Sequence, residues 1–328
     1  MRYLKYLRLL VSSFLICWII FLLAFFYQLG VQTTKISAWI DNIYVNKERI
    51  ARSIDTPKLI VVAGSNALYG ISCEAVAAQT GVPCVNAATH GTLGTDYIFR
   101  KARSLAKPTD IVLLPLEYHF YKQRDTLNNV FIDYVVASNP SYLLSLNPFQ
   151  QIRFVLGTSF PRLLNGMINK TIYYLNSEPR ENTNLFLNEY GDIKKNKEAN
   201  ITSNLIHIVA EEKPMELQGY LRSTSGMKSI RKFVEWAREN QIQVIATWPN
   251  TIGFDVYQEA KSQEYFQSIK DFYQEIGVPV LGEPEDFMYD KSMFYDTSYH
   301  LHDRGTRHRT RQTIDLLLPY LAPLREAQ

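Results

Sequence analysis

The chain has 328 residues, 46% of them hydrophobic, enough to bury a substantial core in one large domain or two small ones. Lys and Arg number 35 against 32 Asp and Glu, a net charge of +3. That is too slight for the electrostatic footprint of a nucleic-acid-binding protein, and no basic tail, finger spacing or RNA-binding aromatic motif is present, so nucleic acid is excluded as a partner.

Residues 9–34 carry no charge, and 9–29 are almost wholly apolar. A run of ~20 such residues is what a bilayer core requires, so the pattern predicts one transmembrane helix. Arg2, Lys5 and Arg8 in front of it also fit a signal peptide. The apolar run exceeds the ~7–15 residues of a signal h-region and no small-x-small cleavage site follows, which favours an uncleaved anchor. Three basic residues precede the span and Lys35 alone lies between it and Lys47. The expected topology is therefore single-pass in the inner (plasma) membrane, N-terminus cytoplasmic, with the globular part periplasmic or extracellular. Cys17 lies in the span. Cys73 and Cys84 are either a pair formed in an oxidising compartment or two small buried thiols.

Residues 35–57 are expected to form a stalk helix and linker ended by Pro57, leaving 58–328 as the main domain. Strands at 59–63, 83–87 and 110–116 alternate with helices at 72–80 and 95–105. The rhythm breaks at 122–222, read as an insertion at the rim of the sheet, helical in part over 149–176 and most polar over 176–202. It resumes with a helix at 223–240, a strand at 243–248, a helix at 256–276, a strand at 278–281 and a closing helix at 304–320. Such alternation predicts an α/β fold, a five-stranded parallel sheet with helices on both faces.

The apolar strand Leu59-Ile-Val-Val-Ala runs into Gly64-Ser65-Asn66, and near the end of the chain comes Asp296-Thr-Ser-Tyr-His300. A serine hydroxyl needs a base within hydrogen-bond reach, and the base needs a group that fixes its tautomer. His300 and Asp296 fit those roles; the competing role for Ser65 is a helix N-cap. An oxyanion hole is the second requirement. The Ser65 backbone N–H and Gly91, in Asn86-Ala-Ala-Thr-His90-Gly91, are the candidates.

These blocks resemble the SGNH (GDSL-like) hydrolase superfamily, which carries Gly-Asp-Ser on the first strand, a Gly block after the second, Gly-x-Asn-Asp after the third and Asp-x-x-His near the C-terminus. The likeness runs from about residue 59 to 320 and leaves the insertion unaccounted for. It implies a three-layer, flavodoxin-like sheet and a Ser65-His300-Asp296 triad. Two departures stand out. The third strand ends in Leu-Glu117-Tyr-His119 with no Gly-x-Asn-Asp, and three residues rather than two separate Asp296 from His300, leaving Asp303 as a fallback carboxylate. Both are similar to the membrane-tethered branch that acts in alginate O-acetylation and lipoteichoic acid D-alanylation. That resemblance implies an esterase or O-acyltransferase working through an acyl-serine on a surface glycan or glycolipid, alongside a multispanning membrane acyltransferase. The lost third block equally fits a catalytically inactive glycan-binding or scaffold protein of a cell-envelope polysaccharide assembly.

Asn66, His90, Glu117, Trp248 and Asn250 are candidates for contacting substrate, Trp248 by stacking on a sugar and Asn250 by bonding its hydroxyls. A structural role competes for His90, and a buried Trp with a turn for Trp248-Pro-Asn250. Arg304, Arg307, His308 and Arg311 share one face of the last helix, by default a solvated one. His300, His302 and His308 lack the companion spacing of a zinc or iron site, so no metal and no cofactor are expected.

Overall fold

The computed structural model describes residues 2–122, 127–176 and 187–326. It divides into two units, one built from the described residues of Met1–Asp41 and Leu127–Asn182, the other from those of Asn42–Thr126 and Thr183–Gln328.

The chain opens with α1 (Arg2–Tyr27), in the first unit. Tyr3, Leu4, Tyr6 and Leu7 carry the apolar pattern back past the charged residues, so the helix starts earlier than the uncharged run. At 1.5 Å per residue it spans about 39 Å, longer than a ~30 Å hydrocarbon core. Tyr3–Tyr27 is long and apolar enough to cross a membrane, and nearly all of it is exposed. Next, α2 (Lys35–Arg52) begins in the first unit and ends in the second. It is not the expected stalk. Ile40, Ile43, Tyr44, Lys47 and Ala51 recur at helical spacing on one face, and all are buried.

The second unit is laid down by alternation. β1 (Leu59–Val61) leads into α3 (Ser65–Gly70) and α4 (Cys73–Thr80), β2 (Cys84–Asn86) into α5 (Thr95–Leu105), and β3 (Ile111–Leu114) into α6 (Tyr118–Lys122). The first unit then receives α7 (Asn129–Ser138), α8 (Pro140–Ser145), α9 (Pro148–Gly157) and α10 (Phe160–Asn176). Back in the second come α11 (Ser203–Ala210), α12 (Ser225–Glu239), β4 (Gln243–Thr247), β5 (Thr251–Ile252), α13 (Ala260–Glu275), β6 (Val280–Leu281), β7 (Met288–Tyr289) and α14 (Asp303–Glu326). The expected single insertion at 122–222 is thus two things. Residues 127–176 belong with α1, whereas from 187 onward the chain packs on the sheet: Tyr190 O accepts Asn86 N–H at 2.9 Å. Of the polar stretch 176–202, residues 177–186 lie outside the described residues.

The sheet has five parallel strands in the order β2-β1-β3-β4-β6, flanked by helices. Its strands are continuous apolar runs because both faces are covered. The chain moves from β1 to β2 on one side and returns to β3 on the other, so strand order reverses beside β1, where crevices open at the carboxyl ends of such sheets. Register keeps these ends level: Val61 pairs with Asn86 on one side and Leu113 on the other. Ser65, Gly91 and Glu117 follow those residues by four, five and four positions.

Two ties, one covalent and one ionic, hold the amino ends of the strands. A disulfide joins Cys73 to Cys84, linking α4 to β2 across a short loop; closing a loop of that size is worth about 3 kcal/mol in the chain-entropy account. At the same amino end, buried Lys58 meets buried Asp110 at 2.8 Å. Asp110 also accepts the Lys58 and Lys107 backbone N–H groups.

Separately, β5 and β7 form a two-stranded parallel pair that the sequence did not announce. Ile252 and Tyr289 from this pair cluster with Val209, Phe294 and Leu301. Phe294 and Leu301 bridge antiparallel and close a tight loop over the residues between them.

Candidate active site

Ser65 is the first residue of α3, immediately beyond the β1 edge. Its hydroxyl caps nothing, because the N-cap is Gly64. The competing N-cap role therefore falls away for this residue; Ser72 fills it at α4, accepting from Ala75 N–H. Asn196 and Thr306 hydrogen-bond to the Tyr69 carbonyl, fixing the far end of α3.

The candidate base, His300, lies in the loop between Phe294 and Leu301. Tyr295 N–H donates to His300 O at 2.7 Å, and His300 N–H to Thr297 O at 3.3 Å. This turn carries Asp296 back to His300, whose Nδ1 lies 2.6 Å from Asp296 Oδ1. One residue more than the usual spacing is thus absorbed by the turn. His300 Nε2 makes no hydrogen bond among the described residues. Asp303, the fallback carboxylate, is engaged elsewhere: it accepts Glu198 N–H and Arg307 Nη1, each at 2.8 Å.

Against His300 lies Tyr69, which the sequence reading passed over. It stands four residues after Ser65 on α3, hence on the same helix face. His300 stacks on its ring with centroids 4.2 Å apart and planes 14° from parallel. Burial, followed by the charge of Asp296 and the phenol of Tyr295, pushes the Tyr69 hydroxyl up, so it stays neutral beside the carboxylate. No hydrogen bond joins Ser65 Oγ to His300 among the described residues; such bonds tighten when substrate fills the site.

Gly91 lies against the serine turn. A Cβ on Gly64 would come within 2.8 Å of Gly91 Cα and would collide with the Glu117 carboxylate. Space, not an unusual φ, therefore demands glycine at 64. Glu117 is fully buried and holds the turn from below: its two oxygens accept the Gly64 and Asn66 N–H groups, each at 3.0 Å. The Ser65 N–H between them is left without an acceptor among the described residues, as is the Gly91 N–H. Two backbone donors on adjacent loops, both unspent, are what an oxyanion hole requires.

His90 and His119 complete the rim. His90 Nδ1 lies 2.8 Å from Thr92 Oγ1, and its ring is held below its ordinary pKa by burial and then by the neighbouring His300. His119 Nε2 lies 3.2 Å from Gly91 O. Glu117, by contrast, is corrected from substrate contact to support of the turn that carries Ser65.

Three further expectations change in the same way. Asn66 is buried, with Nδ2 on Pro115 O at 2.8 Å. Trp248 is 1% exposed and donates to Gly282 O at 2.9 Å, so it offers no sugar a face. Asn250 is buried, donates to Tyr299 O, and accepts from Arg309. Arg309 is the organiser that sequence missed. Fully buried on α14, it also donates to Asn66 O and Trp248 O, both at 3.2 Å, and burial pushes its guanidinium down to about 10. Arg304, Arg307, His308 and Arg311 do lie exposed on the other face.

Glu198, His302 and Asp303 bring potential ligand atoms within 4.8 Å of one another. His302, however, spends both ring nitrogens: Nε2 meets Ser292 O at 2.8 Å and Nδ1 accepts Arg304 N–H at 3.1 Å. It caps the start of α14, with no lone pair left for an ion.

The loop bearing Gly91 rests on a buried lysine. Lys47 of α2 donates to Ala88 O, and burial pushes its ammonium down to about 7 against the partial opposition of Asp192. Because the folded pKa lies below the usual 10.5, the unfolded chain binds more protons between those values, and stability rises with pH from about 7 to about 10.5. Denaturant titrations at pH 6 and pH 9 should show this rise, and Lys47→Met should flatten it while stabilising the protein at the lower pH.

Compared with known protein families and with curated proteins, the chain matches none.

Proposed function

We propose that this chain is a serine esterase or O-acyltransferase of SGNH type, held at the membrane by α1 and acting outside the cytoplasm on an acyl ester of a surface glycan or glycolipid. The observation that carries the reading is the His300–Asp296 pair at 2.6 Å, its ring stacked on Tyr69 one turn from Ser65. The two unspent N–H groups of Ser65 and Gly91 support it. In the reaction, Ser65 Oγ attacks the acyl carbonyl and passes its proton to His300 Nε2, while Asp296 stabilises the imidazolium. The tetrahedral oxyanion collects the two N–H donors. Collapse expels the alcohol, which takes the proton from His300, and leaves an acyl-Ser65 ester. Water or an acceptor hydroxyl then repeats the sequence in reverse; no step calls for a cofactor.

The disulfide supports an oxidising compartment, and the three basic residues before the span support a cytoplasmic N-terminus. Tethering next to the bilayer suits a substrate that is lipid-linked or delivered by a multispanning membrane acyltransferase. Surface-glycan acylation measured with and without the gene tests the proposal. A rise on deletion indicates an esterase and a fall a transferase, whereas unchanged acylation removes both.

One observation favours a second reading, that of a non-catalytic glycan-binding or scaffold protein. Where the resembled family has a side-chain oxyanion donor after the third strand, this chain has Glu117, an acceptor already committed to backbone. Labelling of Ser65 by a fluorophosphonate separates the readings, since only an activated serine reacts.

A further inference from the structure

We propose that α9 and α10 form a second membrane contact, an amphipathic face lying in the lipid headgroup region where α1 leaves the bilayer. The inference rests on reading α1 as membrane-spanning, and is independent of the chemistry at Ser65.

The first observation is an apolar face that covers nothing among the described residues. On α10, Phe160, Leu164, Ile168 and Ile172 recur every fourth residue and are each 41% to 74% exposed. On α9, Phe149, Ile152 and Leu156 follow the same helical logic and are also exposed. Seven large apolar side chains exposed on two successive helices are not normal surface for a water-soluble unit. The opposite sides are packed: Phe154 of α9 and Leu163 of α10 are buried.

A second, independent observation says what covers that face. Tyr27, the last residue of α1, and residues 28–32 directly behind it are bonded to α10. Arg162 donates to Gln28 Oε1 at 2.7 Å and to Val31 O at 2.8 Å, Lys170 to Leu29 O at 3.3 Å, and Asn169 to Gln32 O at 3.2 Å. Tyr27 and Thr171 hydroxyls lie 3.3 Å apart. A Cβ at Gly166 would collide with the Gln28 side chain, so the two segments are in close contact. These partners stretch over about 13 Å of α10 and end on Tyr27 and the five residues that follow it, so α10 is seated where the chain leaves α1. A helix seated at the exit of a membrane span lies at the level of the interface.

The joint is rigid. Asp133 of α7 pairs with Arg162 at 2.5 Å and accepts the Thr33 and Thr34 hydroxyls, and both ionic partners are buried. Composition agrees with a lipid occupant: residues 134–177 contain Arg153, Arg162 and Lys170 and no acidic side chain. Basic, amphipathic helices of this kind bury their apolar face about 5–10 Å into the headgroup boundary.

The test uses the full chain in vesicles of phosphatidylcholine and phosphatidylglycerol, with an environment-sensitive probe on one cysteine at a time. Cys17, the free thiol of α1, reports the anchor. Ile152→Cys and Ile168→Cys, each with Cys17→Ser, report the proposed face, and Glu239→Cys on α12 serves as the aqueous reference. Nitroxides placed near the lipid headgroups should quench the two face positions at least about twofold more than the reference, while deep nitroxides quench Cys17. Face positions that behave like Glu239 while Cys17 is quenched would overturn the proposal and leave the anchor standing. An unquenched Cys17 removes the anchor and the proposal together. Face positions shielded from water but untouched by lipid nitroxides, or cross-linking between copies, would mean that protein covers the face, and would also overturn it.

Discussion

Ser65→Ala and His300→Ala should each lower acyl-ester turnover by at least about 10³-fold, and the double variant should lose little more than either alone, because nucleophile and base act as one unit. Neither change should unfold the chain. The Ser65 hydroxyl makes no hydrogen bond within the described residues, and His300 is held by a partly exposed loop whose anchors, Phe294 and Leu301, are untouched. Asp296→Asn belongs to the same series. The amide presents no second charge to the imidazolium and competes for the wrong tautomer, so kcat should fall with the melting midpoint unchanged. A fluorophosphonate reports the first half-reaction directly: Ser65→Ala abolishes labelling, and His300→Ala slows it. Turnover at the unsubstituted level in either single variant sinks the mechanism.

Much of the fold was legible because a parallel sheet buried on both faces must be written as apolar runs. Leu59, Cys84, Ile111 and Gln243 each begin strands where the pattern predicts them, within two residues. Short or one-sided features were harder to read. Six-residue α3 is too short for a helical period to register, and with it Tyr69 was overlooked, although its position four residues after Ser65 places it on the same face. A strand-end position says that a side chain is near the crevice, not which way it points. Trp248 and Asn250 point inward and Gly91 borders the serine turn, a distinction that depends on packing across the sheet. Arg309 looks like one more charge among Arg304, Arg307 and Arg311, yet it lies on the buried side of α14. The one signal available was its helical phase, which sets it apart from that basic face. Likewise the spacing of Cys73 and Cys84 permitted a disulfide without requiring one, and only the placement of α4 against β2 brings the two thiols together.

Glu117 carries the second large effect, and here two roles predict different outcomes. A residue that contacts substrate would, when truncated, raise KM and leave stability alone. The structure instead gives its carboxylate to the Gly64 and Asn66 N–H groups. In Glu117→Ala both donors lose their acceptor inside the protein, at about 1–3 kcal/mol each. The serine turn, packed against Gly91 with no spare volume at Gly64, then has nothing beneath it. The expected result is a destabilisation of about 2–5 kcal/mol in denaturant unfolding, together with loss of fluorophosphonate labelling although Ser65 is intact. Glu117→Gln separates bonding from volume. Its amide oxygen can accept one N–H, but its NH₂ faces the other donor, so stability should fall between that of the Ala variant and the unsubstituted protein. Labelling should follow stability across the series. A Gln variant as stable as the parent, with KM raised and kcat kept, would return Glu117 to the substrate side of the site. The graded alternative makes it the positioning residue that stands where the resembled family places its third block, so that the serine turn is held by an acceptor from the loop after β3 and the oxyanion is left to backbone donors alone.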